Sequence, residues 1–580
     1  MNQRISQDFK ETVIGVFADR DEKHIVEEFF QLFKTPWEWG DLEKRYDALL
    51  ISADVESLPD APVVIVYGSA AKKLDERYGF RLEERSAPLL NWKGRLVPVY
   101  QKASVLDAAG EAILELDGTR ESAGVRIGGE SRTVYRFGFD LFREIQTLLL
   151  AGQPARYASI PALDLHIAIL RESILAAGVP VVEIPPVPAG HPYAVCLTHD
   201  IDFLSLRDHR FDRTMLGFVY RASLGSVIRL VQGRISPANA LRNLIALLKL
   251  PMVWMGLCRD FWQQVPRYME LEQDVRSTFF FIPFAGRPGV SCGQGDHGQR
   301  AASYDLEAQG DLVKALVEGG FEAGVHGIDA WTDGKRAAEE RRRFEAVCGE
   351  KNPGIRMHWL YWGEDSYRLL DEAGFAYDST FGYNDAVGYR AGTVQAFNPP
   401  AAVDLLELPL NVQDTSLFYP GRMNLSEKEA AIACERLLVI HRELGGVLTL
   451  SWHDRSLAPE RLWGDFYRDL LKKVKADGAW IGPAGRAVQW FRKRRSMVFN
   501  RVERVGEGIE VQVSSVDNLS SGEGLPGVLL RVHLPLESAS LAVSRESRPW
   551  NDVPLDTQAV TRVALRQTGG KGPIEKGPAR

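Results

Sequence analysis

A repeat of short apolar segments and longer amphipathic segments occupies the chain from Tyr193 onward, and it restricts the possible fold more than any other feature. Seven apolar segments have the length of strands, at 195–198, 277–282, 321–326, 354–358, 375–380, 405–412 and 447–453. Segments with helical spacing separate most of them, at 304–318, 335–348, 365–373 and 426–444. Alternation of this kind predicts a parallel β/α barrel, in which the chemistry lies at the carboxyl ends of the strands.

The region before this barrel, which we place at 190–495, has a mixed pattern. Residues 1–183 combine helical spacing at 24–34, 135–150 and 162–177 with short strands at 48–51, 63–67 and 96–100. This mixture predicts a separate α/β domain, and none of its glycine pairs has the strand, turn and helix setting of a nucleotide-binding loop. The Pro-rich segment 184–188 predicts a stiff linker into the barrel.

The region after the barrel alternates short strands with Gly and Ser turns. The predicted strands lie at 498–505, 508–513, 528–534, 539–543 and 560–565. This pattern predicts a small all-β, sandwich-like domain over 496–568. The remaining residues, 569–580, are rich in Gly, Pro and Lys, and we expect them to be disordered.

One long insertion, at 203–276, interrupts the barrel pattern. It contains the apolar segment 241–257, in which Arg242, Lys249 and Pro251 argue against a helix that spans a membrane. We predict a helical lid over the barrel mouth. Contact with a membrane surface through 241–257, or with a second copy, is the alternative.

Charge and cysteine usage bear on partners and compartment. The net charge of -7 over 580 residues argues against nucleic acid as a partner, since phosphate backbones require a basic face. The five cysteines are scattered and show no CxxC spacing, which indicates a reducing compartment. Because residues 1–21 lack an apolar core and no segment approaches a spanning helix, we expect a cytoplasmic protein.

Two carboxylates follow the first strand of the predicted barrel. Asp200 and Asp202 are two residues apart, so they would point to the same side of an extended backbone. Two carboxylates so placed cannot both ionise cheaply without a cation or a metal nearby. An N-cap or an Asx turn is the alternative interpretation of this pair.

Histidines occur at three further strand ends. His326 lies in Gly324–Asp329, His358 in Arg356–Trp359, and His453 in Leu448–Asp454. A single histidine at a strand end is usually only a hydrogen-bonding residue, but here three recur in register. Together with the acidic pair, they offer ligands for a borderline divalent metal and one imidazole for proton transfer.

These segments resemble the motifs of the polysaccharide deacetylase family, which is the NodB-homology fold of carbohydrate esterase family 4. That family has an acidic motif, a His-containing motif, an Arg motif, an Asp motif and a final L-x-H, in that order along the strands. The corresponding segments here are His199–Asp202, Gly324–His326, Arg356–Trp359, Tyr377–Thr380 and Thr449–His453. The resemblance covers about 193–494 and implies an α/β fold, a distorted (β/α)7 barrel, between the N-terminal α/β domain and the C-terminal all-β domain.

Two departures from the family pattern concern the metal ligands. The second histidine of the family would stand at Ala330, and the proline of its Arg motif is replaced by His358. If the backbone follows the family, His358 supplies the missing imidazole, and the metal ligands are Asp202, His326 and His358. Asp329 or a water is the competing third ligand. The resemblance implies a divalent ion, for which we expect zinc.

The resemblance also implies catalytic roles. Asp200 would take a proton from water, Arg356 would orient Asp200, and His453 would protonate the departing amine. One of Asp378, Asp385 and Asp414 would support His453, and the sequence does not choose among them. Trp359, through its backbone N–H, and Arg390, in the loop 383–393, would contact the substrate.

The predicted function is a metal-dependent hydrolase that removes N-acetyl groups from a glycan or a sugar-lipid biosynthetic intermediate. Its partner would be a carbohydrate or glycolipid, and the oligomeric state is left open. Two alternatives remain: hydrolysis of another non-peptide C–N bond on the same barrel, and a non-catalytic binding or scaffold protein of polysaccharide biosynthesis.

Overall fold

The computed structural model describes residues 10–564, apart from 12, 87, 130–131, 210, 292–296, 507, 517–523, 536–549 and 558. The chain forms two compact units. The first comprises Met1–Gln153, Ile160–Gly190 and Trp490–Arg580, and the second comprises Pro154–Ser159 and His191–Gln489. The predicted tail at 569–580 and the predicted strand at 539–543 lie outside the described residues.

A nine-stranded sheet organises the N-terminal part of the first unit. Its order is β3-β2-β4-β5-β12-β11-β10-β7-β8, parallel from β3 to β12 and antiparallel from there on. The strands of this part are β1 (Lys10–Glu11), β2 (Ile14–Phe17), β3 (Trp37–Trp39), β4 (Ala48–Ile51), β5 (Val63–Tyr67), β6 (Arg81–Ser86), β7 (Leu89–Trp92), β8 (Arg95–Pro98), β9 (Lys102–Asp107), β10 (Glu111–Leu116), β11 (Ser122–Gly128), β12 (Thr133–Phe137) and β13 (Val181–Glu183). The helices are α1 (Lys23–Phe33), α2 (Lys73–Tyr78), α3 (Leu141–Leu150) and α4 (Ala162–Ala176).

The helix predicted at 135–150 is partly wrong. Residues Thr133–Phe137 form β12, which pairs in parallel with β5, and the helix begins only at Leu141. The segment is rich in β-branched and aromatic residues, which suit a buried strand, and four of its five residues are buried. Tertiary pairing with β5 thus overrides a helical spacing that continues into α3.

The second unit is a parallel barrel. Its strands are β14 (Ala194–Ile201), β15 (Thr278–Phe281), β16 (Glu322–Gly327), β17 (Ile355–Met357), β18 (Tyr377–Asp378), β19 (Leu406–Glu407), β20 (Val412–Gln413), β21 (Val447–Ser451) and β22 (Trp480–Gly482). They follow the order β19-β18-β17-β16-β15-β14-β21-β20, with β22 paired to β14. All eight residues of β14 are buried, which places the first predicted strand at the centre of this sheet.

The predicted sixth strand, 405–412, is divided in two, and this division closes the barrel. Its first half, β19, pairs with β18, while its second half, β20, pairs with β21. Seven strand positions therefore complete the ring, and the predicted distorted (β/α)7 barrel is confirmed.

Helices connect the barrel strands and form the insertion. Those of the insertion are α5 (Arg213–Ala222), α6 (Leu224–Val231), α7 (Pro237–Trp254) and α8 (Val265–Leu271). The others are α9 (Gly310–Glu318), α10 (Gly334–Cys348), α11 (Ser366–Ala373), α12 (Asp414–Phe418), α13 (Glu427–Leu444), α14 (Gly464–Ala476) and α15 (Ala484–Arg495).

The insertion has a small core of its own. Phe218, Leu250, Val253 and Trp262 pack together in it. Asp212 and Ser236 cap α5 and α7 by accepting from backbone N–H groups of the first turn. By length and composition, Arg213–Val231 could cross a membrane, and 28% of its apolar 18-residue stretch is buried. The expectation that no segment approaches a spanning helix therefore does not hold for this segment.

The C-terminal strands do not form a unit of their own. They are β23 (Met497–Val505), β24 (Gly508–Ser515), β25 (Leu529–His533), β26 (Trp550–Pro554) and β27 (Thr561–Ala564). β1 adds to β23, and β13 adds to β25, both in antiparallel pairs. The strands predicted over 496–568 belong to the first unit, where β1 and β13 extend the C-terminal sheets and Val182 of β13 packs in their core.

Candidate active site

The side chains of Asp202, His326 and His358 converge at the carboxyl ends of the barrel strands. Asp202 follows β14, His326 lies near the end of β16, and His358 follows β17. His326 Nε2 and His358 Nδ1 lie 3.3 and 3.2 Å from Asp202 Oδ1, and the two nitrogens are 2.9 Å apart. Among the described residues, these three form the one group of His, Cys, Asp and Glu side chains close enough to hold a metal ion.

Hydrogen bonding around this group favours a cation at its centre. His326 Nδ1 donates to the Arg356 carbonyl oxygen at 2.9 Å, which leaves Nε2 as the nitrogen that faces Asp202. Asp202 Oδ1 is buried and accepts no well-formed hydrogen bond. In a tetrahedral site with ligands at about 2.1 Å, the ligand atoms are about 3.4 Å apart. The two distances to Asp202 Oδ1 are close to this value, and the distance between the two nitrogens is shorter. The three residues therefore fit a divalent metal.

The third position of the group is occupied by His358 and not by Asp329. Asp329 Oδ1 accepts from the Val290 N–H at 2.7 Å, and its Oδ2 pairs with Arg336 at 2.5 Å. Ala330, which stands where the family has its second histidine, is buried. The imidazole of His358 thus approaches from the neighbouring strand end.

The backbone beside His358 is unusual. Trp359 and Leu360 have φ angles of 63° and 54°, in the left-handed region that non-glycine residues seldom adopt. Arg300 Nη2 donates to the carbonyl oxygens of Ile328 and His358, at 2.9 and 3.4 Å. These bonds hold the turn, and the turn presents His358 and Trp359 to the same cavity.

Asp200 is held by a fully buried arginine. Arg356 Nη1 donates to Asp200 Oδ1 at 2.9 Å and to Thr198 Oγ1 at 2.7 Å. Ser379 fixes the rest of the guanidinium through its carbonyl and hydroxyl oxygens, both at 2.9 Å. Burial alone would raise the pKa of Asp200, but Arg356 and nearby histidines outweigh it and lower that pKa below its ordinary value. Asp200 is therefore charged at neutral pH.

His453 is paired with Asp414, one of the three aspartates predicted as candidates. His453 Nδ1 donates to Asp414 Oδ1 at 2.6 Å, and the His453 backbone N–H donates to Oδ2 at 2.8 Å. Burial lowers the pKa of His453, but the Asp414 carboxylate more than compensates, so the pKa rises to about 9. The ring is protonated at neutral pH and has its Nε2 proton available.

The other two aspartates, and Arg390, take different positions. Asp378 Oδ1 accepts from the Thr380 backbone N–H at 3.1 Å, and Asp385 is exposed. Arg390 was predicted to contact substrate, but it donates to the Gly382 carbonyl at 3.0 Å and stacks 4.4 Å from the Phe381 ring, away from the cavity lining. The loop uses Arg390 to hold its own backbone together.

One cavity of about 570 Å³ joins these groups. Asp200, Asp202, His326, His358, Trp359 and His453 all line it. The insertion also contributes, since Arg213, Thr214 and Arg221 of α5 line the same cavity, as a lid would. Sequence reasoning missed four further wall residues, Asp454, Arg422, Arg455 and Arg461, of which only the two beside His453 had a signal in their position.

No family model matches the chain, and no curated protein matches its sequence. Solved structures similar to it include a polysaccharide deacetylase from Mycobacterium smegmatis, at 18% identity over 53% of this chain and 94% of that one, with a TM-score of 0.33. The carbohydrate deacetylase Agd3 is 10% identical over 96% of this chain and 99% of that one, with a TM-score of 0.34. A mutant of a CE4 family pseudoenzyme with restored activity is 13% identical over 51% and 69%, with a TM-score of 0.25.

The chain is similar to deacetylase structures. They include members of the polysaccharide deacetylase family, which its strand-end motifs resemble. Because the identities and TM-scores are low, the side chains of this chain, and not these likenesses, carry the functional argument that follows.

Proposed function

We propose that the protein is a metal-dependent hydrolase that removes N-acetyl groups from a glycan or a sugar-lipid biosynthetic intermediate. The observation that carries the proposal is the convergence of Asp202, His326 and His358 in one cavity with a charged Asp200 and a protonated His453. A base and an acid beside a metal-ligand group are the parts that amide hydrolysis requires.

Asp202, His326 and His358 would hold the metal. Two imidazole nitrogens and one carboxylate oxygen suit a borderline cation, and we propose zinc. When bound, such a cation supplies Lewis-acid polarisation of an amide carbonyl and increases the acidity of water.

Asp200 is placed to accept a proton from the attacking water. Arg356 donates to one carboxylate oxygen, the buried Ser451 Oγ donates to the other at 3.3 Å, and Asp200 itself lines the cavity. The water oxygen forms a bond to the carbonyl carbon, and Asp200 takes the proton. Because Arg356 holds the carboxylate in one orientation, little rearrangement is needed for the transfer.

His453 supplies the proton that the leaving group needs. Its Nδ1 is occupied by Asp414, so the proton on Nε2 is the one directed to the substrate. As the C–N bond breaks, the nitrogen takes this proton and leaves as an amine, and acetate is the second product. The backbone N–H near Trp359 would help to stabilise the negative charge on the carbonyl oxygen.

Metal content provides the first test. We expect the purified chain to hold one divalent ion, and His358→Ala to retain little of it while its circular dichroism and melting temperature in metal-free buffer match those of the metal-free parent. The matched control is His191→Ala, because His191 is a half-buried histidine outside the cavity lining, and its Nδ1 donates to the Gly478 carbonyl. Full metal retention by His358→Ala would contradict the assignment of His358 as a ligand.

Product analysis provides the second test. The metal-loaded protein should release acetate from at least one member of a panel of N-acetylhexosamine glycans, nucleotide sugars and lipid-linked sugars. Release of a different acid or amine would favour another non-peptide C–N bond. A metal-free chain with no product would favour a binding or scaffold role. Location in the cytoplasm stays a prediction from cysteine usage.

A further inference from the structure

Five arginines line the cavity beside the metal-ligand group, and the proposed hydrolysis does not use them. One of them, Arg213, begins α5, and the other four lie further along the chain. They come from α5, from the segment after α12, from the residue after Asp454 and from the turn before α14: Arg221, Arg422, Arg455 and Arg461. Among the described residues, none of the four forms an ion pair with a carboxylate, whereas the buried Arg356 pairs with Asp200. The nearby Glu460 directs Oε1 to the Trp262 indole N–H, at 3.1 Å.

Aromatic rings lie against three of these four guanidinium groups. Arg455 lies 3.6 Å from the centroid of Phe203 and 4.7 Å from that of Trp262. Arg461 lies 5.5 Å from the centroid of Tyr419, and Arg422 lies 5.9 Å from the same ring. A ring stacked on the planar face leaves the N–H groups at the edge available for hydrogen bonds.

Arg221, Arg455 and Arg461 repel one another in the absence of an anion, and the nearby Glu460 and Asp454 offset this only in part. Burial, with Arg461 and Arg455 nearby, lowers the pKa of Arg221 to about 9. Burial and Arg461 likewise lower the pKa of Arg455. Arg461 is only 9% exposed. Solvent therefore compensates little for this concentration of positive charge, and an anion with several oxygens would relieve it.

We propose that Arg221, Arg422, Arg455 and Arg461 bind a phosphate or diphosphate attached to the sugar whose amide is hydrolysed. The substrate would then be a phosphorylated N-acetyl sugar carried by a nucleotide or a lipid, and this assignment rests on the proposed function. Guanidinium edges match phosphate oxygens in pairs, and a single carboxylate would leave most of the four unmatched. A cavity of this volume has a diameter of about 10 Å, enough for a hexosamine with its phosphate.

Pyrophosphate binding to the metal-free full-length chain tests the subsite without reference to catalysis. By isothermal titration calorimetry, Arg221→Gln and Arg461→Gln should each weaken binding by about tenfold or more, because each removes charge-assisted hydrogen bonds. The control is Arg368→Gln, since Arg368 is an exposed arginine on α11 that pairs with Asp365 and Glu372. It should bind pyrophosphate as the parent does.

Turnover then identifies the source of the phosphate. Uridine diphosphate N-acetylglucosamine, farnesyl diphosphate N-acetylglucosamine and free N-acetylglucosamine would be compared as substrates. The parent should favour a phosphorylated substrate by at least about tenfold in kcat/KM, and Arg461→Gln should lose the preference. If the arginine variants lose pyrophosphate binding but the parent releases no acetate from any of the three sugars, the subsite is supported and the proposed function is overturned. Failure of the parent to bind pyrophosphate, or equal turnover of the neutral sugar, would overturn the subsite.

A second observation concerns the outer face of the insertion. On α6, the apolar residues Leu224, Val227, Ile228 and Val231 recur at helical spacing, and all are exposed, by 64, 59, 46 and 82%. α7 repeats this with Leu241, Leu244, Ile245, Leu248 and Met252, exposed by 57, 47, 42, 70 and 41%. The opposite face of α7 packs in the insertion core through Ala246, Leu250 and Val253. The exposed residues therefore form two outward apolar stripes.

The charge of this segment indicates what covers the stripes. Residues 213–259 contain seven Arg and Lys and no Asp or Glu, although the whole chain has a net charge of -7. Two of the seven, Arg213 and Arg221, line the cavity, and five lie outside its lining. Two copies meeting by a twofold axis would bring these positive segments together, which opposes a dimer through this face. Arg213–Val231 meets the length and hydropathy criterion for a span, but α5 ends at Ala222 and α6 begins at Leu224, with Ser223 between them. A surface position suits such an interrupted, basic and apolar segment.

We infer that α6 and α7 dock the protein on an anionic membrane surface. Cosedimentation with vesicles of phosphatidylcholine and phosphatidylglycerol should capture the parent, and pure phosphatidylcholine should capture much less. Val231→Glu and Leu248→Glu should each reduce capture about tenfold or more. Val403→Glu, at a site that is also 82% exposed but lies elsewhere on the barrel unit, is the control. Equal capture of all variants, or a dimer in analytical ultracentrifugation that Leu248→Glu dissociates, would overturn the inference.

Discussion

Replacing Asp414 with asparagine removes the negative charge beside His453 and keeps one of the two acceptor oxygens. The amide nitrogen that replaces the other oxygen cannot accept from the His453 backbone N–H, which donates to Asp414 Oδ2 at 2.8 Å. Asparagine preserves an acceptor oxygen for His453 Nδ1, which now lies 2.6 Å from Asp414 Oδ1, but removes the negative charge. That charge is the main cause that raises the pKa of His453 against the effect of burial. Without it, we expect the pKa to fall from about 9 to its ordinary value of 6.5 or lower.

The magnitude follows from these two values. At pH 7.5, a group with a pKa of about 9 is roughly 97% protonated, and a group with a pKa of 6.5 is roughly 9% protonated. Protonation alone therefore predicts a loss of about tenfold in kcat/KM at this pH, if His453 acts as the acid. The direction of the pH dependence follows from the role of the ring. Because activity requires protonated His453, activity is lost as pH rises through the pKa of His453.

Two measurements check this prediction. The alkaline limb of the pH profile of kcat/KM should move down by about two units or more in Asp414→Asn. NMR titration of the His453 ring in metal-free protein should show the same shift without any substrate. Asp385→Asn is the matched control, because Asp385 is an exposed aspartate of the same unit. An alkaline limb that stays in place in Asp414→Asn would refute the reasoning.

Three further predictions concern stability. Arg356→Leu leaves Asp200 buried without its partner and should lower the free energy of unfolding by about 3–5 kcal/mol, measured by urea denaturation. Gly446→Ala should cost more than about 1 kcal/mol, because its φ is 78° and a Cβ would lie 2.2 Å from a backbone oxygen; Gly478→Ala, with a φ of 75° and open space, should cost less. Burial opposes ionisation of Glu183, but arginines and a histidine lower its pKa overall. Its stabilisation should therefore be lost as pH falls below 4.5, and Glu183→Gln should show less of this acid dependence than the parent.

The barrel could be predicted from the sequence because its strands are locally encoded. β14 is apolar and fully buried, and the strands at 278–281, 322–327 and 447–451 lie within one residue of the predicted starts. The sequence did not reveal the features that depend on which strands pair with each other. The division of the sixth strand depends on its two different neighbours, and no periodicity in 405–412 reveals it.

Some residues of the candidate site could likewise be predicted from the sequence, and others could not. Residues at strand ends, such as His326 and His453, could be predicted because parallel strands bring their carboxyl ends together. The choice of Asp414 over two other aspartates needed coordinates, since Asp378 ends a strand, Asp414 follows one and Asp385 lies in a loop, and the sequence gives none of them precedence. Arg390 lies outside the cavity lining, because an arginine in an aromatic loop can stack on its own loop as readily as on a sugar. The cluster at Arg221 and Arg461 joins residues far apart in sequence.

The position of His358 has a consequence for recognising related proteins. The imidazole that the family places four residues after the first histidine here approaches from the next strand, while Ala330 is buried at the old position. A pattern that requires both histidines in one segment would reject this chain, although its three ligand atoms lie within 3.3 Å of one another. Ligand sets in such barrels are therefore better compared by the strand ends they occupy than by spacing along the chain, and chains set aside as having lost a ligand would merit inspection of the adjacent strand.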